Sequence, residues 1–142
     1  FFTDSYMQMC KNFVSDVFND ENHVPRTEQV DMMNKTIDFF QSNPQFSHSE
    51  FATKVMEEPQ IIDAFNDYKQ QFETERQFPE PIPETFEISK DAVKGEKKNF
   101  KSVINLDKNF HLYVHGSRYY MEKGFDQEKD LNYYKLYFKV EM

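Results

Sequence analysis

Tryptophan is absent from this 142-residue chain, glycine occurs three times and cysteine once. The lone Cys10 excludes an internal disulfide and a cysteine-based metal site, which suits a reducing cytosol. Three glycines are too few for a phosphate-cradling loop of the usual kind. No Gly-x-Gly-x-x-Gly, Walker, Gly-x-Ser-x-Gly or His-Glu-x-x-His sequence occurs either, so we expect neither an enzyme nor a bound cofactor or metal. No uninterrupted apolar run approaches the roughly 18 residues of a membrane helix, and a soluble protein without a membrane partner is expected. Phe1-Phe2-Thr3-Asp4 has neither the basic start nor the apolar stretch of a signal peptide. With Phe1 where a start methionine would stand, the expectation is a fragment of a longer chain.

Phenylalanine and tyrosine are abundant, with 16 and 8 copies. That is too rich in aromatics for a disordered chain, despite the high charge. The length suits one domain that hides roughly two-thirds of its unfolded surface. The formal net charge is −8, which as an average argues against a phosphate-binding protein. The average hides a division. Residues 1–84 hold six basic side chains against sixteen acidic ones, a net of −10, and residues 85–142 hold eleven against nine, a net of +2. Between them Phe78-Pro79-Glu80-Pro81-Ile82-Pro83-Glu84 carries three prolines at alternate positions, which forbid a helix and favour an extended connector. The chain therefore divides into an acidic helical region (1–77), a proline-rich connector (78–84) and a mixed, mainly β region (85–142), expected to form one compact domain.

The spacing ahead of the connector is helical. Tyr6, Met9, Cys10, Phe13, Val14 and Val17 mark one buried face. Asn19 to Pro25 reads as a loop, and a second helix from about Thr27 to Ser42 aligns Val30, Met33, Ile37 and Phe40. Ser47 and Glu50 form a capping box, flanked by Phe46 and Phe51 at the hydrophobic-staple positions. A fourth helix opens at Pro59, with Ile61, Ile62, Phe65, Tyr68 and Phe72 on its inner face. Beyond the connector, Phe86 to Ile88 reads as a short strand and Ser89 to Asn99 as a basic helix or loop interrupted by Gly95. Phe100–Leu106 and Phe110–His115 alternate around Asp107-Lys108-Asn109, a hairpin signal. Phe110, Leu112 and Val114 share one face of the second run, and His111, Tyr113 and His115 the other. Arg118 to Lys123 suggests a helical turn stopped by Gly124, and Leu131 to Val140 a long strand. The fold class expected is α+β, an N-terminal four-helix layer followed by a small, mainly antiparallel sheet.

His111 and His115 lie about 13 Å apart along an extended strand, too far to share one metal. We read them as half-exposed strand histidines, with a nucleic-acid contact or a capped turn at His115-Gly116 as alternatives. Cys10, on the apolar stripe, reads as a small buried hydrophobe. The acidic pairs Asp20-Glu21, Glu57-Glu58 and Glu73/Glu75 read as solvated helix faces, since acid–base work needs a pocket that holds their pKa values apart. The basic stretch is more informative. Lys90, Lys94, Lys97, Lys98, Lys101, Lys108 and Arg118 stand against three acidic residues between Ser89 and Arg118. Such a cluster would bind phosphates without regard to sequence and in a salt-sensitive way, and Phe100, Phe110, Tyr113, Tyr119 and Tyr120 would be available to stack on bases. The competing reading makes the lysines solubilising residues flanking strands and the aromatics core.

Phe100-Lys-Ser-Val-Ile-Asn-Leu-Asp-Lys-Asn-Phe-His-Leu-Tyr-Val-His-Gly-Ser-Arg118 resembles the C-terminal motif of the bacterial nucleoid-associated proteins of the NdpA type. Glu122-Lys-Gly-Phe-Asp-Gln-Glu-Lys129, Tyr134-Lys-Leu-Tyr-Phe138, Met9-Cys-Lys-Asn-Phe-Val14 and Phe86-Glu-Ile-Ser89 are similar to further segments of that family. The resemblance runs across most of the chain, strong at Phe100–Arg118 and diffuse through the helices. It implies a cytoplasmic, nucleoid-localised, non-catalytic DNA-binding protein, represented by its C-terminal part. It assigns no DNA-contacting residues, so the seven basic candidates rest on charge alone. Asp126-Gln-Glu-Lys-Asp130 departs from the glycine-containing turn expected before the last strand. The alternative function is a protein–protein or self-association module, with DNA held by an N-terminal region outside this chain.

Overall fold

The computed structural model describes residues 1–100, 102–115 and 120–142. It is α+β. Helix α1 (Phe2–Asp16) buries Tyr6, Met9, Cys10, Phe13 and Val14 as the spacing predicts, and also Thr3, Ser5 and Met7, because neighbours cover it on more than one side. A 3-10 turn at Asp20–Asn22, closed by the Asn19 carboxamide accepting from the Asn22 N–H, leads into α2 (Arg26–Ser42). A three-residue strand β1 (Gln45–Ser47), unmarked in the sequence pattern, precedes α3 (His48–Phe51). There the Ser47 hydroxyl accepts the Glu50 N–H, and Phe46 and Phe51 are fully buried with ring centroids 5.6 Å apart. Cap and staple thus form. The helix does not continue as an α-helix: Ala52–Met56 is a π-helical turn, ended by Glu57 at φ 64°. Helix α4 (Pro59–Glu75) begins on proline as expected.

The proline connector is pinned against α4. Ile82 is buried and its N–H donates to the Glu73 carboxylate at 2.5 Å, while Lys69 pairs with the same oxygen at 2.8 Å. The Phe78 ring meets Phe72 edge-on. Strand β2 (Thr85–Glu87) then pairs antiparallel with β1, setting Phe46 opposite Phe86. This ladder closes an aromatic core around Tyr6, which lies 4.3 Å from Phe46 and within 6.0 Å of Phe40, Phe51 and Phe65 by centroid. Each such ring pair is worth about 0.5–1.5 kcal/mol beyond the area it buries. The Tyr6 hydroxyl donates to Nδ1 of His48, whose Nε2 donates to Asn66.

Helix α5 (Lys90–Lys97) is capped by the Ser89 hydroxyl and packs on α1 and α2 through Val93. Gly95 does not interrupt it. Strands β3 (Val103–Leu106) and β4 (Phe110–Tyr113) form the expected hairpin around Asp107-Lys108-Asn109, with Asp107 at φ 52°. The single small sheet expected is instead three separate two-stranded ladders among the described residues. The third pairs β5 (Met121–Asp126) with β6 (Leu131–Leu136). Residues 121–123 are therefore strand, not helix, and Gly124 is a strand residue without positive φ. Its missing side chain leaves room for the Tyr133 ring directly across the ladder, which a Cβ would meet at 2.3 Å. The β5–β6 turn needs no glycine because Asp130 takes the left-handed conformation at φ 56°, and the Asp126 carboxylate accepts the Lys129 N–H. The final strand stops at Leu136, short of the expected Val140.

Candidate nucleic-acid interface

A cleft of about 1050 Å³ lies between α2, α5 and the β3–β4 hairpin. One wall is α5 and its exit, which contribute Lys94, Lys97, Lys98 and Phe100. Val93 is the buried residue of this helix; Lys97 follows one turn later on the same face, Lys94 and Lys98 flank it, and all three lysines are exposed. The second wall is one face of the hairpin. Register sets Asn105 opposite His111 and Val103 opposite Tyr113, and with His115 these side chains line the cleft. The alternation read from the sequence is what turns His111, Tyr113 and His115 to the same side. Ile104, on the opposite face, is buried against the helices. Helix α2 supplies the third wall with Asn34, Ile37, Asp38 and Gln41.

Asn34 holds the hairpin in place. Its Nδ2 donates to the Val114 carbonyl at 2.9 Å and its Oδ1 accepts from the Ser102 hydroxyl at 2.5 Å, so one side chain of α2 clamps both strands at their open end. Within the cleft, His111 Nδ1 donates to Asn105 Oδ1 at 2.6 Å, orienting the imidazole and leaving Nε2 for a ligand. Tyr113 is 73% exposed and shows an open ring face. Among the described lining residues, three ammonium groups stand against one carboxylate, Asp38, and make the cleft basic.

No protein-family model, curated protein or solved structure matches this chain. The residues themselves must therefore carry the functional reading.

Of the seven basic candidates, the fold brings Lys94, Lys97 and Lys98 together. Lys108 is exposed on the hairpin turn, outside the cleft lining. Lys101 and Arg118 lie outside the described residues. Lys90 is engaged elsewhere: its ammonium donates to the carbonyls of Phe40, Gln41 and Asn43 at 2.9, 3.1 and 2.7 Å, closing the C-terminal end of α2. All three of its N–H groups are used, and it is a capping residue. Of the five aromatics, Phe100 is buried, Phe110, Tyr113 and Tyr120 are exposed with Tyr113 in the cleft lining, and Tyr119 lies outside the described residues.

Nothing in the sequence marks the α2 wall. Asn34, Asp38 and Gln41 recur at helical spacing as a polar stripe, but nothing local says that a hairpin some 70 residues later faces it. Two smaller clefts are acidic. One, of about 450 Å³, includes Asp20 and Glu21. The other, of about 270 Å³, includes Asp31, Glu57 and Glu58, and there Lys35 bridges Asp31 and Glu57 at 3.1 and 2.7 Å. Among the described residues no group of three His, Cys, Asp or Glu is placed to hold a metal ion. Cys10 is buried, and burial alone pushes its thiol pKa well up, away from a reactive thiolate. No described helix is long and apolar enough to cross a membrane.

Proposed function

We propose that this chain is a non-catalytic DNA-binding protein of the nucleoid-associated type, contacting phosphates through the cleft between α5 and the β3–β4 hairpin. The observation that carries this reading is the gathering of Lys94, Lys97 and Lys98 opposite Tyr113, His111 and His115. The resemblance of Phe100–Arg118 to the nucleoid-associated family supports it, since that segment supplies a whole wall of the cleft. Binding is electrostatic and independent of sequence. The acidic clefts on the helical side repel phosphates and so confine DNA to the basic one.

The test is a titration with labelled DNA, single-stranded and duplex, at low and moderate salt. Three phosphate contacts give a log–log salt slope of about −2 to −3. Reversing Lys97 and Lys98 to Glu lowers affinity about tenfold or more. Absence of binding to either form at low salt overturns the reading.

A second reading is a self-association module. It is favoured by the β5–β6 hairpin and the tail behind it, where Phe125, Leu131, Leu136 and Phe138 are all exposed. Association that rises with protein concentration, without DNA binding, selects this alternative.

A further inference from the structure

We infer that the cleft takes a single strand of nucleic acid, with its backbone along the lysine wall and its bases turned inward onto Tyr113 and the polar groups of α2 and β3. The inference rests on the DNA-binding reading and narrows it to one class of ligand. Three features of the cleft favour a single strand over a duplex.

The first is what lines the cleft besides the lysines. Asp38 and Gln41 of α2 and Asn105 of β3 share the cleft lining with Lys94, Lys97 and Lys98. A carboxylate repels a phosphate, so Asp38 opposes any ligand that offers phosphates to every wall. It accepts well from the exocyclic amino group of a base, and the carboxamides of Gln41 and Asn105 supply both donors and acceptors. Those base edges are free in a single strand and occupied by pairing in a duplex.

The second feature is Tyr113. Its ring is 73% exposed although it stands on a strand next to a buried face. A stacked base covers such a ring, and stacking is available only where bases are unpaired. His111, held by Asn105, presents Nε2 beside it. The third feature is shape. The lysines line an open-sided cleft of about 1050 Å³, on the scale of a ligand cleft and smaller than the surface a duplex covers. A flexible strand enters such a space; a rod touches only its rim.

The experiment is fluorescence anisotropy of the full chain with a short labelled oligo-dC strand, the same strand annealed to its complement, and inorganic polyphosphate as competitor. The expected result is single-strand binding about tenfold or more tighter than duplex. Tyr113→Ala is expected to weaken single-strand binding about tenfold while leaving polyphosphate binding and the unfolding midpoint unchanged, and Tyr113→Phe to restore it. Asp38→Lys is expected to raise affinity for polyphosphate and lower it for oligo-dC. Duplex binding equal to or tighter than single-strand binding overturns the inference and leaves the DNA-binding proposal standing. So does an unaltered single-strand affinity in Tyr113→Ala. Failure of both DNA forms to bind overturns the two together.

Discussion

Lys90 and Lys97 are seven residues apart on one helix, carry the same charge, and do different work. Lys90 lies over the end of α2, where unsatisfied carbonyls collect the negative end of the helix dipole. Lys97 lines the cleft. Lys90→Met keeps the stem and removes the three hydrogen bonds. It should cost about 1 kcal/mol, a fall of roughly 4 °C in the melting temperature, with DNA affinity unchanged. Lys97→Met should do the opposite, weakening DNA binding at constant melting temperature. Calorimetry and anisotropy on the same two variants check both halves. Sequence alone ranked these lysines together, because charge and spacing are the same whether an ammonium meets a carbonyl or a solvent-filled cleft.

Among the elements, those built from neighbours in the chain were legible. Ser47, Phe46 and Phe51 announce the start of α3, since a cap and a staple involve residues within one helical turn. Asp107-Lys108-Asn109 announces the β3–β4 hairpin, and the alternation that follows announces which side chains share its face. Asp107 can hold φ 52° at modest cost, its short polar side chain tolerating the left-handed region. Asp107→Val should destabilise the turn by about 1–2 kcal/mol. Hydrogen exchange should speed at the Ile104 and Leu112 amides while α2 stays protected, and single-strand binding should weaken with the loosened wall. Equal exchange in hairpin and helix would show that the turn does not govern the hairpin by itself. Strand β1 was not legible. Three residues with one buried side chain carry no periodicity, and β1 exists because β2, some 40 residues later, pairs with it. Gly124 misled for a related reason: glycine after a polar run suggests a helix stop, whereas here it makes space for Tyr133 across the ladder.

For the molecule as a whole, stability depends on keeping Tyr6 and Cys10 uncharged inside the core. Burial pushes the Tyr6 hydroxyl well above its ordinary value of 10.0 and the Cys10 thiol well above 9.0. Both groups are neutral in the folded protein at pH values where the unfolded chain has ionised them. Their contribution is fully present below the unfolded values and is lost as pH rises through the folded ones. The melting temperature should therefore begin to fall above about pH 9 and continue falling above pH 10. Cys10→Ala removes the earlier ionisation, so its decline relative to neutral pH should begin nearer pH 10. Thermal melts of both proteins across pH 7–11 measure the difference. An identical onset in the two would remove Cys10 from the account.

By itself the sequence determined α1, α2, α4 and the start of α3, the β3–β4 hairpin, the aromatic supply for the core and the division of charge at the prolines. These follow from periodicity, caps and composition, which act between near neighbours. The tertiary structure decided which charges meet. It turned Lys90 onto the end of α2, gathered Lys94, Lys97 and Lys98 into a cleft, and brought Asn34, Asp38 and Gln41 across from His111 and Tyr113. The net of −8 says nothing of this, because a site's potential depends on the distances between charges, and only packing sets those distances.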